Sequence, residues 1–245
     1  MARPVVTDAG PPPDAETGPP PGWVVERHRG PASTFHARPL PDPVVPAVWV
    51  LTVDRPALVL GSAEPADHAD ADALAAAGIE LVRRRSGGGA VLLVPDAVTW
   101  VDLLLPAGHP LWVDDVGRAT HWVGRAWAAA LRSLGVDAHA HTGPMAHRPW
   151  SDRVCFAGLG PGEVVDGDGR KLVGLSQRRT RAGARFQTSL HHRWDPAAMA
   201  AALALTEVDR SALIADLADA VAAVPVAPSD VVAALLAHLP PSGPV

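Results

Sequence analysis

The sequence predicts an α+β fold in which a mixed, mostly antiparallel β-sheet is flanked by helices. Three observations predict it. Short apolar, β-branched segments separated by turn residues fill the middle of the 245-residue chain. Apolar residues at helical spacing recur around them, and 48% of the residues are hydrophobic, which is enough for a sizeable core. Helices and a sheet must each bury an apolar face, so we expect the helices to pack on the sheet.

One domain is expected over residues 23–239. Residues 1–22 are rich in proline and poor in apolar side chains, so we expect a disordered tail, and residues 240–245 form a second, short tail. Apolar runs stay far below the roughly 18 residues that span a bilayer, and the N-terminus lacks a secretory signal pattern. We therefore expect a cytoplasmic protein that does not bind membranes.

The predicted elements follow from apolar pattern and turn chemistry. The strands are expected at 47–53, 57–60, 79–84, 90–94, 99–105, 154–157, 163–165, 171–178 and 185–190. The helices are expected at 67–77, closed by Gly78, at 114–134, closed by Gly135, after Asp195, at 212–223 and at 229–238. Residues 87–89 would link two strands, and residues 166–169, Asp-Gly-Asp-Gly, are strong turn chemistry.

Two rare residues stand out. Lys171 is the single lysine among 21 cationic side chains, and Cys155 is the single cysteine, which excludes an intramolecular disulfide and a multi-cysteine zinc site. Lys171 is either a chance survivor or does a job that a planar guanidinium cannot do. Cys155 is either a small buried hydrophobe or a nucleophile. It lies 16 residues before Lys171, so two connected strands could bring the thiol and the ammonium together.

Positive charge is concentrated although the net charge is -5. Residues 83–85 are all arginine, and residues 170–193 hold seven cations and no carboxylate. Such clusters suit an anionic partner, whether a phosphate, a nucleic acid or an acidic protein. A nucleic acid is disfavoured, because Phe186 and Trp194 are the only aromatic side chains near the second cluster.

Three successive glycines at 87–89 allow a backbone to approach a ligand closely, although a flexible hairpin explains them equally. They are neither a P-loop nor a dinucleotide fingerprint. The Asp-x-Asp-Gly string at 166–169 lacks the glutamate of a calcium loop. The histidines show no metal-ligand spacing, and a serine-hydrolase elbow is missing. We therefore expect no metal site.

Two motifs resemble those of the biotin/lipoate protein ligase superfamily, in its lipoate-protein ligase and octanoyltransferase branch. Residues 84–91 are similar to the branch's Arg-Arg-x-Ser-Gly-Gly-Gly-Ala-Val signature, with one residue fewer before the serine. Residues 169–177 are similar to its Gly-Arg-Lys-φ-x-Gly-x-x-Gln signature, where φ is apolar, and Lys171 falls on the family's lysine. The motifs stand in the family's order, and the similarity covers about residues 47–204.

The resemblance implies a groove for a medium-chain acyl group, octanoate or lipoate. It implies that Lys171 contacts the acyl carbonyl or acyl-phosphate oxygens and that the glycine motif closes on the ligand. The residues implied to bind the substrate are Arg84, Arg85, Ser86, Gly87, Gly88, Gly89, Ala90, Gly174, Ser176 and Gln177. The acceptor would be a lysine of a lipoyl carrier domain. Such domains and acyl carrier proteins are acidic as families, which suits the basic segment 170–193.

Cys155 distinguishes the mechanisms that the resemblance leaves open. One octanoyltransferase subfamily uses a cysteine in a Cys-Phe pair before the Gly-Arg-Lys motif, and Cys155 and Phe156 stand there. The implied enzyme takes octanoate from acyl carrier protein as a Cys155 thioester and needs no cofactor. One alternative is an ATP- and Mg-dependent lipoate ligase that forms an adenylate. Another is a non-catalytic protein that binds acyl groups or carrier domains, since Leu92, Leu93 and Val94 depart from the family pattern.

Overall fold

The computed structural model describes residues 20–243, so residues 1–19 and 244–245 of the two expected tails lie outside the described part. The residues of these tails that are described contact each other. Trp23 Nε1 donates a 2.7 Å hydrogen bond to the carbonyl of Pro240, and the Ser242 N–H donates to the carbonyl of Pro21 at 3.1 Å. The two ends of the described chain therefore meet on one side of the domain.

Ten strands form two sheets within residues 20–243. They are β1 (Val24–Gly30), β2 (Ala47–Val53), β3 (Ala57–Leu60), β4 (Glu80–Arg83), β5 (Val91–Leu93), β6 (Val98–Pro106), β7 (His139–Ala140), β8 (Val164–Val165), β9 (Lys171–Arg179) and β10 (Gly183–His191). Seven strands form a large sheet in the order β1-β2-β6-β10-β9-β8-β7, and three form a small sheet in the order β4-β3-β5. Only the β1–β2 and β3–β4 pairs are parallel. The mixed, mostly antiparallel architecture is confirmed, but the expectation of one sheet is wrong.

Six α-helices surround these sheets in the described part. They are α1 (Ala32–Ala37), α2 (Ala71–Ala77), α3 (His121–Ser133), α4 (Pro196–Ala201), α5 (Glu207–Ala220) and α6 (Pro228–His238). Two of them begin later than predicted. The Asp70 side chain accepts the N–H of Ala73 and so caps α2, after a 3₁₀ turn at Ala66–His68. Asp115 accepts the N–H of Arg118 and opens the 3₁₀ turn Arg118–Thr120, from which α3 continues.

Three further sequence predictions differ from the structure. The strand predicted at 154–157 is a 3₁₀ turn, Cys155–Ala157. Strands β4 and β5 do not pair across the glycines that join them, because β3 lies between them. The predicted pattern also omitted β1 and α1, since β1 is charged at four of its seven positions and α1 is very short.

Apolar side chains join the layers into one domain. Trp127 and Leu131 of α3 and Leu235 of α6 pack on the large sheet. Leu213 and Leu217 of α5 belong to a second cluster, which covers the small sheet. A third cluster, formed by Trp49, Leu51, Val59, Leu93, Trp100 and Leu104, joins the two sheets. The junction between the sheets is where the candidate site lies.

Candidate active site

A buried arginine organises the glycine loop, which we define as residues 84–90 between β4 and β5. Arg84 is only 4% exposed. Its guanidinium donates to the carbonyls of Gly87 at 2.9 and 3.2 Å, of Gly89 at 2.8 Å and of Val59 at 3.3 Å. A guanidinium has five donors in a planar fork and can therefore satisfy several loop carbonyls at once. Arg84 thus holds the loop in one shape as well as carrying charge.

Two glycines of this loop are required by close contacts. Gly88 has φ +95°, and a Cβ built there would lie 2.9 Å from Arg84 Nη2 and 3.9 Å from the Cys155 Sγ. A Cβ on Gly89 would lie 2.6 Å from the backbone nitrogen of Val154, which is closer than real contacts allow. The glycines let the loop press directly against the cysteine segment.

Cys155 begins a 3₁₀ turn that is hydrogen-bonded to the end of the glycine loop. Its N–H donates to the carbonyl of Ala90 at 3.0 Å, and the Ala90 N–H donates to the carbonyl of Arg153 at 2.9 Å. Cys155 is partly exposed and its thiol is free, whereas its neighbours Val154 and Phe156 are 1% exposed. The apolar run therefore buries its two flanking residues while the cysteine faces a cavity.

Lys171 lies behind Cys155 and is almost fully buried. Its ammonium donates to the Cys155 carbonyl at 2.8 Å and pairs with Glu163 Oε2 at 2.6 Å. The carbonyl oxygen and Sγ of one cysteine lie within about 4.5 Å of each other by covalent geometry, so the ammonium and the thiol sulfur are at most about 7 Å apart. Cys155 lines both of the cavities described below and Lys171 lines neither, so the ammonium approaches the cysteine from behind, at its carbonyl.

Glu163 is the residue that the sequence analysis missed. Its Oε2 also accepts the N–H of Gly160 at 2.6 Å, and its Oε1 accepts the N–H of Leu175 at 3.0 Å. Strand β8 begins only at Val164, opposite Val173, so it does not extend to Leu175, and the carboxylate accepts that N–H instead. The sequence signal that could have identified it is that Glu163 is the single carboxylate in the weakly polar stretch 155–165. A carboxylate that is buried with such a stretch requires hydrogen-bonding or charged partners.

Cys155 stands at the junction of two cavities. The first, here called the inner cleft, is a narrow cavity of about 40 Å³ between the two sheets. Its lining combines apolar side chains with a few polar ones: His36, Val59, Arg84, Val91, Leu93, Trp100, Cys155, Gly174, Leu175, Ser176, Gln187, Thr188 and Ser189. An apolar lining with a few polar groups is typical of small-molecule sites.

The second cavity, here called the outer cleft, has a volume of about 290 Å³ and also borders Cys155. Its lining includes the glycines of the loop, Gly87, Gly88 and Gly89, together with Val116, Thr120, Met145, Ser151, Glu163 and Gln177. Cys155, Leu175 and Ser176 line both cavities. A group held in one cavity can therefore meet a group arriving through the other at the sulfur.

The other residues implied to bind substrate divide into two groups. Arg84, Gly87, Gly88, Gly89, Gly174, Ser176 and Gln177 line one of the two clefts. Ser86, Ala90 and Arg85 do not line either cleft. Ser86 Oγ lies 3.1 Å from Ser176 Oγ and donates to Gln187 Oε1 at 2.9 Å. Ala90 is buried and forms a β-bridge with Val154. Arg85 is exposed and lines a third cavity. Gln177 also donates to the carbonyl of Val116, at the rim of the outer cleft.

The third cavity, here called the arginine cavity, has a volume of about 360 Å³ and adjoins the inner cleft through His36 and Gln187. Its cationic lining is Arg38, Arg85, Arg178 and Arg185, and Asp42 is its one carboxylate. Arg38 pairs with Glu26 and Arg185 with buried Asp102, so Arg85 and Arg178 are the lining cations without a carboxylate partner in the described part. A net positive surface therefore borders the site.

The predicted basic segment 170–193 is less uniform than its sequence. Arg170 is paired with Asp166 and Asp168, Lys171 with Glu163, and Arg185 with Asp102. Arg179 stacks over Trp112 at 4.5 Å and donates to the carbonyls of Val113 and Asp114. The cations of this segment without a carboxylate or aromatic partner in the described part are thus Arg178 and Arg181, near the β9–β10 turn, and exposed Arg193.

His36 stays neutral at the far end of the inner cleft. Burial lowers its pKa to about 3, and the charges of Arg185 and Arg84 act in the same direction. It packs on Trp100 at 4.6 Å, and Gln187 Nε2 donates to its Nδ1 at 3.3 Å. His36 and Gln187 come from segments 151 residues apart, so no local pattern could have placed them together.

His191 is a second neutral histidine, below the cysteine turn. Burial lowers its pKa to about 3, and the neighbouring His192 adds to the shift. Its ring packs edge-on against Phe156 at 4.7 Å and against Trp194 at 4.9 Å. The aromatic cluster supports the residue that follows Cys155.

Within residues 20–243, no three His, Cys, Asp or Glu side chains cluster in a way that would hold a metal ion. The described helices also include none long and apolar enough to cross a membrane.

A thiol thus lies between a glycine loop and a lysine-bearing strand, at the mouth of a partly apolar cleft between two sheets. The chain belongs to the lipoyl protein ligase A/B catalytic domain family, whose sequence model matches residues 36–239. It is 35% identical over 111 residues to the octanoyltransferase LipM of Moorella thermoacetica, covering 45% of this chain and 40% of that protein. It is 31% identical over 165 residues to the octanoyltransferase LipM of Kyrpidia tusciae, covering 65% and 59%. The matches thus span about half the length of these relatives.

Solved structures support the fold independently. The bipartite lipoate protein ligase of Thermoplasma acidophilum superposes with a TM-score of 0.68 at 18% identity, covering 89% of this chain and 82% of that one. A lipoate-protein ligase A bound with ATP superposes with a TM-score of 0.65 at 17% identity, covering 88% and 82%. At these identities the likeness establishes the shared catalytic-domain fold.

Proposed function

We propose that this protein is an acyltransferase of protein lipoylation that carries an octanoyl group on Cys155. The observation that carries the proposal is the position of the one thiol of the chain at the junction of the inner and outer clefts. The octanoyltransferase names of the two LipM relatives support the same reaction class.

The inner cleft is suited to the acyl chain. Val59, Val91, Leu93 and Trp100 supply apolar wall, and burial of each methylene of a chain contributes about 0.8 kcal/mol. The thioester carbonyl would then lie at Cys155, where the cleft meets the outer cavity. The outer cleft gives the acyl donor and the acceptor amine a route to the same carbon.

The proposed reaction has two balanced steps. The Cys155 thiolate attacks the thioester carbonyl of an octanoyl carrier, a new carbon–sulfur bond forms, and the carrier leaves as a thiol after taking up a proton. The ε-amine of a lipoyl-domain lysine then attacks the Cys155 thioester, so that an amide forms and the Cys155 thiolate leaves while the amine loses a proton. No redox change or cofactor is involved.

Cationic groups near the thiol would stabilise the negative charge that develops on the carbonyl oxygen. Arg84 lines the inner cleft beside Cys155, and the Lys171 ammonium lies within about 7 Å of the sulfur by covalent geometry. Fixed charges in a partly buried site act strongly because no solvent reorganisation is needed. The roles of Lys171 and Cys155 as catalytic residues are part of this proposal.

The carrier partner is proposed to bind beside the arginine cavity. Arg85, Arg178 and Arg181 present positive charge there and at the neighbouring β9–β10 turn. Complementary charge accelerates and orients the docking of an acidic lipoyl domain or acyl carrier protein.

An adenylate route would require ATP and Mg²⁺. In the described outer cleft, Glu163 is the one lining carboxylate, and it is engaged by Lys171 and by two backbone N–H groups. Mg²⁺ binds through oxygen ligands, often carboxylates, so the outer cleft offers it no free carboxylate. This donor set supports the thioester route.

The test is intact-mass measurement after incubation with octanoyl-acyl carrier protein, with and without ATP. We expect one octanoyl adduct on the wild type without ATP, removable by hydroxylamine, and none on Cys155→Ala. Adding a lipoyl domain should transfer the octanoyl group to its lysine.

The control is Cys155→Ser, which keeps the side-chain shape but is a much weaker nucleophile. Full transfer by this variant would refute the thioester. Lipoyl-domain modification that occurs only with free lipoate and ATP would replace the proposal with the ligase. Binding of the acyl donor with no transfer under any condition would favour the non-catalytic reading.

A further inference from the structure

Glu163 contacts the Lys171 ammonium and lines the same cleft as Cys155 in the proposed site. Its side chain lines the outer cleft together with Cys155, and its Oε2 is 2.6 Å from the Lys171 ammonium. Both members of the pair are buried, with side chains 2% and 5% exposed. Since water screens such a pair little, each charge strongly affects its surroundings when the other is removed.

The carboxylate also connects the backbone segments around the thiol. It accepts N–H groups from Gly160 and from Leu175, and it holds the ammonium that donates to the Cys155 carbonyl. Leu175 itself lines both clefts. One side chain therefore fixes the cysteine turn, the following loop and strand β9 relative to each other.

We propose that Glu163 is a positioning residue for the reaction: it holds Lys171 at the carbonyl of Cys155 and cancels the charge that the ammonium would otherwise present to the thiol. This role deepens the proposed function and rests on it, because it presupposes that Cys155 carries out the proposed acyl transfer. In the resting protein the ammonium is occupied, so a substrate carbonyl gains it only when Glu163 or the Cys155 carbonyl gives up a hydrogen bond.

Other charges face Cys155 as well. Arg84 approaches from the glycine loop and lacks a carboxylate partner in the described part, and neutral His36 stands at the far end of the inner cleft. The remaining lining of the outer cleft is uncharged apart from Glu163. Because Arg84 and His36 stay constant in the variants below, differences between variants report on the Glu163–Lys171 pair.

The experiment measures the rate at which iodoacetamide alkylates Cys155 as a function of pH. Labelling is unambiguous because the chain has one cysteine, and it requires no acyl donor. Glu163→Gln leaves Lys171 unneutralised, so we expect the midpoint of the profile to move down by about one to two pH units, as a unit charge at about 7 Å produces at an effective dielectric of about 20. Lys171→Met leaves Glu163 alone, so we expect the midpoint to move up.

The two single variants carry the test because loosened packing would move both midpoints in one direction. The double variant Glu163→Gln/Lys171→Met should return near the wild-type midpoint, and Glu163→Asp should keep it. Asp168→Asn is the matched control, since Asp168 pairs with Arg170 at the exposed β8–β9 turn and should leave the profile unchanged.

Unchanged midpoints in both single variants, or shifts in the same direction, would overturn the inference. If Glu163→Gln does not fold, the upward shift of Lys171→Met remains a required result. If acyl transfer fails but the two midpoints shift in opposite directions, the proposed function is refuted and the effect of the Glu163–Lys171 pair on the thiol is retained. If transfer occurs but the midpoints do not shift, only the role of Glu163 is refuted.

Discussion

Two buried histidines are expected to make the fold sensitive to mild acid. Burial lowers the pKa of His36 and of His191 to about 3, against an ordinary value of 6.5. Between these values the unfolded chain binds a proton at each histidine that the folded protein does not bind. The free energy of unfolding therefore falls as the pH drops below 6.5. Since one pKa unit corresponds to about 1.36 kcal/mol, each histidine should cost about 2 kcal/mol between pH 7 and pH 5.

The loss from both histidines is about 4 kcal/mol, a large part of the roughly 5–15 kcal/mol by which domains are stable. Urea unfolding at pH 7 and pH 5 measures it, on the wild type and on His36→Asn and His191→Asn. Each variant should lose about 2 kcal/mol less than the wild type over this interval. Exposed His147→Asn should behave like the wild type. Equal losses in all four proteins would refute the assignment of neutral, buried histidines.

Three other perturbations test the packing and the charges. Gly89→Ala should cost about 1–3 kcal/mol in urea unfolding, because its Cβ would lie 2.6 Å from Val154, whereas Gly87→Ala meets nothing within 4 Å and should be nearly neutral. Asp102→Asn should cost about 3–5 kcal/mol by leaving buried Arg185 unpaired, whereas Asp54→Asn, at an exposed pair, should be nearly neutral; similar costs would contradict the burial argument. Arg178→Glu should raise the KM for the acidic carrier at low salt, with the difference from wild type shrinking as salt is added; salt-independent kinetics would argue against charge-guided docking.

The sequence located those strands whose apolar runs are long enough to be unambiguous. Strands β2, β3, β6, β9 and β10 were found close to their bounds because their side chains are largely buried. The turn at Cys155–Ala157 was misread as a strand, because a four-residue apolar run has no period that separates the two. The division into two sheets depends on β3 lying between β4 and β5. This pairing joins strands that are distant in the sequence, so no local pattern predicts it.

Some features of the candidate site could likewise be predicted from the sequence, whereas others depend on long-range contacts. The glycine loop and the short spacing of Cys155 and Lys171 are local features, so they could be predicted from the sequence. In the structure the Lys171 ammonium donates to the carbonyl of Cys155. The orientation of Lys171 away from the clefts depends on Glu163, which precedes β8 and accepts the Leu175 N–H that β8 begins too late to pair with. Such a contact exists only once the sheet has formed.

The edge of the large sheet has a consequence for how this protein behaves at high concentration. Within residues 20–243, β1 pairs with β2 on one side and has no strand on the other, and an unpaired strand edge is a template on which another chain can add a strand. Along β1, Glu26, Arg27, His28 and Arg29 are consecutive, and at the opposite edge β7 is two residues long. A charged edge and a very short edge both discourage intermolecular pairing, so the sheet is protected from growing into aggregates at either end.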